Sequence, residues 1–281
     1  MKAQVITDAP TVRLQLESRP QTLTIVRGML GGVAELLAID PELLDDLKTA
    51  VSEACNNVVL HAYGGEPGPM GVRLFVDDHR LRVTVEDEGI GLPDTSPDPA
   101  HGIGVSVIRA LTEDVRFRAR PGGGTEVEME FSAHRQEQPL LQIPAAAAPD
   151  DDLLPERDGE LVISLSPVTL LAGVLGRLAR TLAATAHFSL DRFSDIYLVT
   201  DALAAHAIRA AARPRIGARL LAAERRLELV LGPFVNGSGA PLVQATGERS
   251  ASPLLLVSDQ VEVRPSDLGE FLRVVVIDHR R

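Results

Sequence analysis

The sequence predicts a two-layer α/β sandwich, helices on one side and an antiparallel sheet on the other (α+β), in tandem with a degenerate second copy. Three observations lead there. Helical periodicities sit among hairpin-linked strands, which suits helices packed on one face of a sheet and not a Rossmann unit. A Pro/Ala-rich acidic stretch over residues 133–160 breaks all periodicity near the middle of the chain. Beyond it, "GARLLAAERRLELVLGPFVNG" (217–237) lies on "GVRLFVDDHRLRVTVEDEGIG" (71–91) at a constant offset of 146 residues.

Each element has its own signal. "TVRLQLE" alternates as a strand, and a helix follows over about residues 21–38. A second helix starts at "DPELLDDLKTAVSEACNNVVLHAYGG", with Asp40 as N-cap, Pro41 at the first helical position and Gly64-Gly65 as the stop. "MGVRLFVDDHRLRVTVEDEG" holds two alternating runs joined by a polar turn at Asp77–Arg80, a β-hairpin. A Gly/Pro/Asp loop leads to a helix at about 103–112, and "VRFRARPGGGTEVEMEF" is a last hairpin.

At 281 residues the chain is long enough for two domains, each with its own core. A net charge of −11 argues against a nucleic-acid binder. Residues 1–160 carry a balance of −14 and residues 161–281 one of +3, so the halves are used differently. With no unbroken run of about 18 apolar residues and no signal-peptide pattern at the start, a cytoplasmic protein without membrane association is expected. The single cysteine, Cys55, rules out an internal disulfide framework and reads as a small buried hydrophobe.

In "SEACNNVVLHAY" (52–63), Glu53, Asn57 and His61 recur every four residues and form one polar stripe on a helix. Asn disfavours helix interiors. By itself the stripe fits a solvated face as well as a ligand-facing one. Three glycine clusters follow: "EDEGIG" (86–91) with Asp87, Gly89 and Gly91; "HGIGVSVI" (101–108) with Gly102 and Gly104; and "GGGT" (122–125) ending at Thr125. Singly these are a turn, a helix entry and a loose hairpin. "GIGVSV" lacks the third glycine and the βαβ setting of a dinucleotide fingerprint.

Order and spacing together resemble the GHKL (Bergerat-type) ATP-binding fold, closest to bacterial anti-sigma-factor serine/threonine kinases of the RsbW type. "AVSEACNNVVLHAY" resembles the N box, "EDEGIGLPD" and "HGIGVSVIRALTEDV" the two glycine boxes, and "GGGTEVEMEF" the closing motif, over about residues 11–132. The resemblance implies Mg²⁺ and ATP, with the Asn57 amide oxygen as the metal ligand. It makes Glu53 the general base toward a partner's serine hydroxyl. Asn56 and His61 belong to the same box, with His61 near the phosphates or in a packing role. Asp87 accepts from the exocyclic amine of adenine, Gly89 and Gly91 let backbone approach the base, and Gly102 and Gly104 bring a helix N-terminus to the phosphates. Thr125 belongs beside adenine. One feature departs from the kinase pattern: the lid "LPDTSPDPAH" is short and carries no Lys or Arg.

The domain expectation is an ATP-binding domain at 1–132, a linker at 133–160 and a GHKL-like pseudo-domain at 161–281, with two unrelated α/β domains as the competing account. At that offset Asp87 becomes Pro233, Gly89 becomes Val235, Gly102 and Gly104 become Glu248 and Ser250, and Thr125 becomes Phe271. Asn57 falls on Ala205 or His206 in "FSDIYLVTDALAAHA". The resemblance implies a sigma factor and an anti-sigma-factor antagonist as partners, in partner-switching control of transcription. It also implies dimers, here as a homodimer or an intramolecular pseudo-dimer. The alternative is an ATP-dependent interaction module without kinase activity.

Overall fold

A computed structural model describes residues 9–77, 80–91, 103–132, 153–154, 159–243 and 252–279. Most of the expected linker, the lid at 92–101 and Gly102 lie outside the described residues. The chain divides into two compact units, Thr11–Ile143 and Pro144–Arg281 with Met1–Pro10.

The N-terminal unit runs β1 (Val12–Glu17), α1 (Thr22–Leu37), α2 (Pro41–Asn57), a π turn (Val58–Ala62), β2 (Pro69–Asp77), β3 (Arg80–Asp87), α3 (Ile103–Leu111), β4 (Asp114–Ala119) and β5 (Thr125–Ser132). Its strands lie in the order β4-β5-β3-β2-β1, every pairing antiparallel. Asp40 caps α2 as its sequence requires, its Oδ1 accepting from the N–H groups of Glu42 (2.9 Å) and Leu43 (3.4 Å). Pro41 supplies a φ already suited to the first turn and has no N–H to leave unpaired.

Strand alternation builds the two layers. Leu14, Val72, Leu74, Leu81, Val83, Val85 and Met129 turn to the buried side, where α1 and α2 contribute Met29, Leu30, Val33, Leu47, Val51 and Cys55. Burial pushes the Cys55 thiol up to about 12, so it is the inert hydrophobe expected. The other side of the sheet is a ladder of opposite charges. Glu128 sits directly across from Arg116 (3.1 Å) and also meets Arg82 (3.3 Å) and Arg118 (3.1 Å).

The C-terminal unit runs β6 (Leu161–Leu165), a 3₁₀ turn (Val168–Leu170), α4 (Leu171–Thr185), α5 (Leu190–Ala210), β7 (Ile216–Ala223), β8 (Arg226–Phe234), α6 (Ala240–Val243), α7 (Pro253–Val257), β9 (Gln260–Ser266) and β10 (Gly269–Ile277). Its strands lie in the order β6-β7-β8-β10-β9, so a strand, two helices and two hairpins follow the same path in each unit. Its charge ladder has the opposite signs. Arg273 on β10 faces Glu262 on β9 (3.3 Å) and meets Glu228 on β8 (2.6 Å).

One described helical stretch, Val168–Thr185, has the length and mean hydropathy, 1.3, to cross a membrane, which a search for an unbroken apolar run misses. Arg177 and Arg180 interrupt it. Its buried residues Leu171, Val174, Leu175, Leu178 and Ala179 form one stripe, the pattern of a helix lying on a core.

Candidate functional site

The end of α2 and the π turn form the spine of the site. Glu53 and Asn57 lie one turn apart and are half-buried. Against them stands the first turn of α3. A Cβ on Gly104 would fall 2.8 Å from Glu53 Oε2 and 3.7 Å from Asn57 Oδ1, so glycine leaves both oxygens room. The carboxylate, the amide oxygen and a helix N-terminus therefore meet in one place.

Past Asn57 the helix widens into the π turn, which departs from the regular four-residue spacing of an α-helix. His61 lies exposed in that turn. Glu53 and Asn57 thus lie on the regular helix, and His61 is carried on a differently wound segment.

The turn carries the chain to Ala62, whose carbonyl accepts from Ile90 N–H at 2.9 Å. Gly89 is pressed against the same peptide: a Cβ there would lie 2.1 Å from the Ala62 oxygen. Asp87 follows from strand register. Leu81, Val83 and Val85 face inward on β3, and Asp87 holds the next inward position at the strand's end, 4 % exposed. One of its oxygens accepts from Gly89 N–H at 2.8 Å, and the backbone N–H of Thr125 also donates to it. Burial pushes the Asp87 carboxyl up, against those hydrogen bonds and the charge of Arg120. Thr125 comes to Asp87 because β5 pairs Val127 with Val85, leaving the next inward residues of the two strands side by side. Gly91 faces the turn as well, its Cβ position 3.3 Å from Gly124 O.

These residues fit an adenine nucleotide. Glycines bring the backbone of three segments close together, and an inward carboxylate with spare acceptor capacity lies beside them. Mg²⁺ suits the same donors, since it needs oxygens and keeps phosphate and water ligands, so one amide oxygen from the protein suffices. Among the described residues no cluster of three His, Cys, Asp or Glu side chains could hold a metal without a nucleotide.

Residues 16–131 match the histidine kinase-like ATPase domain. The serine-protein kinase RsbW of Bacillus pumilus (strain SAFR-032) is 33% identical over 40% of this chain and 80% of its own length. The anti-sigma F factor of Pasteuria penetrans is 39% identical over 32% of this chain and 71% of its own. That of Caldanaerobacter subterraneus subsp. tengcongensis is 30% identical over 42% and 90%. The chain belongs to the histidine kinase-like ATPase family.

Within this histidine kinase-like ATPase domain, two supporting residues are absent from the sequence-based site. Tyr63 accepts from Glu88 N–H at 2.8 Å and donates to the Pro69 carbonyl at 2.5 Å, tying the helix exit to β2 and β3. Arg120 Nη1 donates to the Asp87 carbonyl at 2.9 Å across 33 residues of chain. The glycine turn is also not loose. Gly124, at φ +86°, approaches so closely that a Cβ would lie 2.1 Å from Asp87 O. The usable signals were Arg120 as the cation next to "PGGGT" and Tyr63 as the aromatic ending the polar helix.

The C-terminal unit places different chemistry at the corresponding points. At the end of β8 Pro233 and Phe234 are both buried, the pairing with β10 shifts register, and Phe234 packs on His206. In β4–β5 Thr125 lies three pairs beyond Arg116–Glu128, and in β9–β10 that place belongs to Glu270, opposite Pro265. The counterpart of Thr125 is therefore Glu270 and not Phe271, because the second hairpin turn is one residue shorter. Glu270 accepts from Gly237 N–H (2.6 Å) and Gly239 N–H (3.1 Å). His206 is buried, its ring 4.7 Å from Phe234 and its Nε2 3.5 Å from Ser238 Oγ. Burial, then Arg209, lowers its pKa, favouring the neutral ring. Glu248 and Ser250 lie outside the described residues.

Proposed function

We propose that this chain is an Mg-ATP-dependent serine/threonine protein kinase of the anti-sigma type, which holds a sigma factor and phosphorylates an anti-sigma-factor antagonist. The observation that carries the reading is the convergence of Glu53 and Asn57 on Gly104 at the start of α3. The names of the relatives, serine-protein kinase RsbW and anti-sigma F factor, agree with it. Asp87 accepts from the adenine amine, Gly89 and Gly91 admit the base, and Thr125 fixes Asp87 from behind. Gly104 leaves the α3 N-terminus open toward the phosphates, and Gly102 in the same motif is assigned to them by sequence.

Glu53 takes the proton of the partner's serine hydroxyl as its oxygen bonds to the γ-phosphorus and the bond to the β-phosphate oxygen breaks, leaving ADP. Asn57 would hold Mg²⁺ through its amide oxygen, and the ion would offset triphosphate charge. The test is transfer of labelled γ-phosphate to a co-encoded antagonist. Glu53→Gln should keep nucleotide affinity and lose transfer by ~10²-fold or more, whereas Asn57→Ala should weaken Mg-ATP binding itself. Transfer by Glu53→Gln at the wild-type rate would remove Glu53 from this role.

A second reading rests on the lid sequence, which has no cation to balance the γ-phosphate. There the domain binds ATP and selects partners without phosphorylating them, and the same transfer assay separates the two. We read 161–281 as a nucleotide-free duplicate joined through 133–160 to the ATP-binding 1–132. The shared strand order and Glu270 bound to the Gly237 and Gly239 amides support this. It serves as a fixed partner in an intramolecular pseudo-dimer, in place of a homodimer, in the cytoplasm and without direct contact with nucleic acid or membrane. One ATP per chain by calorimetry and a monomer mass by light scattering are the expected results; two nucleotides per chain would overturn it.

A further inference from the structure

Arg120 stands out because it belongs to the glycine turn by its backbone and to the adenine side of the site by its side chain. Its N–H donates to Gly124 O (3.1 Å), and its own carbonyl accepts from Gly123 N–H (3.2 Å). The guanidinium reaches back to the Asp87 carbonyl at 2.9 Å, with Nη2 3.7 Å from Glu86 Oε2. Arg120 from the β4–β5 turn and Tyr63 from the helix exit are the ionisable groups that other segments bring to Asp87. Glu86 and Glu88 flank it along the chain, Glu86 turned to the opposite face of β3 where it pairs with Arg73. Arg120 is the cation of this group, its guanidinium seated on the carbonyl of the same residue whose carboxylate is held in a buried place.

The protonation state of that carboxylate decides which base it accepts. Ionised, it only accepts hydrogen bonds, matching the exocyclic amine of adenine; protonated, it also donates and matches the carbonyl that guanine carries there. We propose that Arg120 is the specificity-determining positioning residue of this site, holding Asp87 in place by its carbonyl and ionised by its charge, so that adenine is chosen over guanine. The inference rests on the reading that Asp87 binds the base. Arg120 acts through Asp87 and need not touch the nucleotide.

The test compares Mg-ATP and Mg-GTP affinities by calorimetry from about pH 5 to 8. It uses the full chain as wild type, Arg120→Gln, Arg120→Lys and Tyr63→Phe. Gln removes the charge and shortens the reach to the Asp87 carbonyl, whereas Lys keeps the charge, so the pair isolates the part due to charge. ATP affinity should fall toward acid pH in every protein as Asp87 protonates. In Arg120→Gln the midpoint of that fall should move up by about one pH unit, and the ATP preference at pH 7 should drop several-fold. Arg120→Lys should return the midpoint most of the way. Tyr63→Phe, which loses hydrogen bonds but no cation, should weaken ATP at every pH and leave the midpoint in place. Should Arg120→Gln fail to fold, Arg120→Ala takes its place, with the same upward shift of the midpoint required and the same return of most of it in Arg120→Lys. A pH profile of Arg120→Gln that overlays the wild type would overturn the role of Arg120. Wild-type protein that binds neither nucleotide would instead overturn the reading of the site itself.

Discussion

Gly104 faces Glu53 so closely that a Cβ on the glycine would stand 2.8 Å from the carboxylate oxygen Oε2. The obstacle is the far end of a flexible side chain, which can swing away, so the clash costs position more than stability. Alanine is also the better helix former by about 1 kcal/mol. Gly104→Ala should therefore melt at or above the wild-type temperature while phosphoryl transfer falls at least ~10-fold, because the general base is moved off its line. An unchanged transfer rate would mean that the place of Glu53 against α3 does not matter to the chemistry.

Gly89 is the opposite case. Its nearest obstacle is the backbone oxygen of Ala62, 2.1 Å from an added Cβ, and backbone in a hydrogen-bonded turn cannot step aside. Gly89→Ala should cost about 2–4 kcal/mol of stability in the N-terminal unit and remove nucleotide binding with it. Denaturant unfolding resolves a change of that size. A variant as stable as wild type would show the Ala62–Gly89 contact to be loose.

Asp87 and Glu228 should respond to pH with opposite signs. Burial raises the Asp87 carboxyl above its ordinary value, so the folded protein holds that proton more readily than the unfolded chain. Its contribution to stability is full below the unfolded pKa and is lost as pH rises through the folded one. At neutral pH, then, the Asp87 charge opposes folding of the nucleotide-free protein. Asp87→Asn should raise the melting temperature at pH 7, by less near pH 4, and abolish the further rise that ATP gives the wild type. Glu228 is held low, first by its hydrogen bond to Arg273 and then by Arg226. Its contribution is present above the unfolded pKa and lost as pH falls, so Glu228→Gln should destabilise at pH 7 and little in acid. Melting curves at the two pH values check both signs.

Glu128 and Arg273 hold matching places in their sheets with opposite charge, each directly across from an edge-strand partner of the other sign. Such pairs contribute through complementarity, not through which side is positive. Glu128→Arg alone would set a cation among Arg82, Arg116 and Arg118 and should cost roughly 1–3 kcal/mol. Adding Arg82→Glu and Arg116→Glu copies the signs of the C-terminal unit and should recover the wild-type value to within about 1 kcal/mol. If the triple variant stays as unstable as the single one, the ladder depends on more than its pairing.

Where the sequence could be read correctly, the cause was local. The Asp40–Pro41 cap, the two hairpins and the inward run Leu81, Val83, Val85, Asp87 follow from neighbours a few residues apart and from a side-chain period of two. Of the residues the family motifs name, Glu53 and Asn57 lie together against Gly104, and Asp87 lies with Gly89 and Thr125. Spacing alone does not tell a π turn from an α turn, so the sequence reads as a regular helix through His61 where the structure winds Val58–Ala62 more widely. A constant offset sets Phe271 against Thr125, whereas strand register sets Glu270 there, because the β9–β10 turn is one residue shorter than the β4–β5 turn.

By itself, then, the sequence determined the main helices and strands of the N-terminal unit, the inward or outward sense of their regular strand residues and the family to which 16–131 belongs. Those properties are set by backbone sterics and hydrophobic periodicity, which act over a few residues. Tertiary structure alone decided what supports the site. Tyr63 reaches Glu88 across 25 residues and Arg120 reaches Asp87 across 33. Gly124 and Gly89 owe their necessity to backbone from other segments. Hydrogen bonds and close approaches of this kind depend on where folding brings distant atoms together, and no local pattern in the chain encodes that distance.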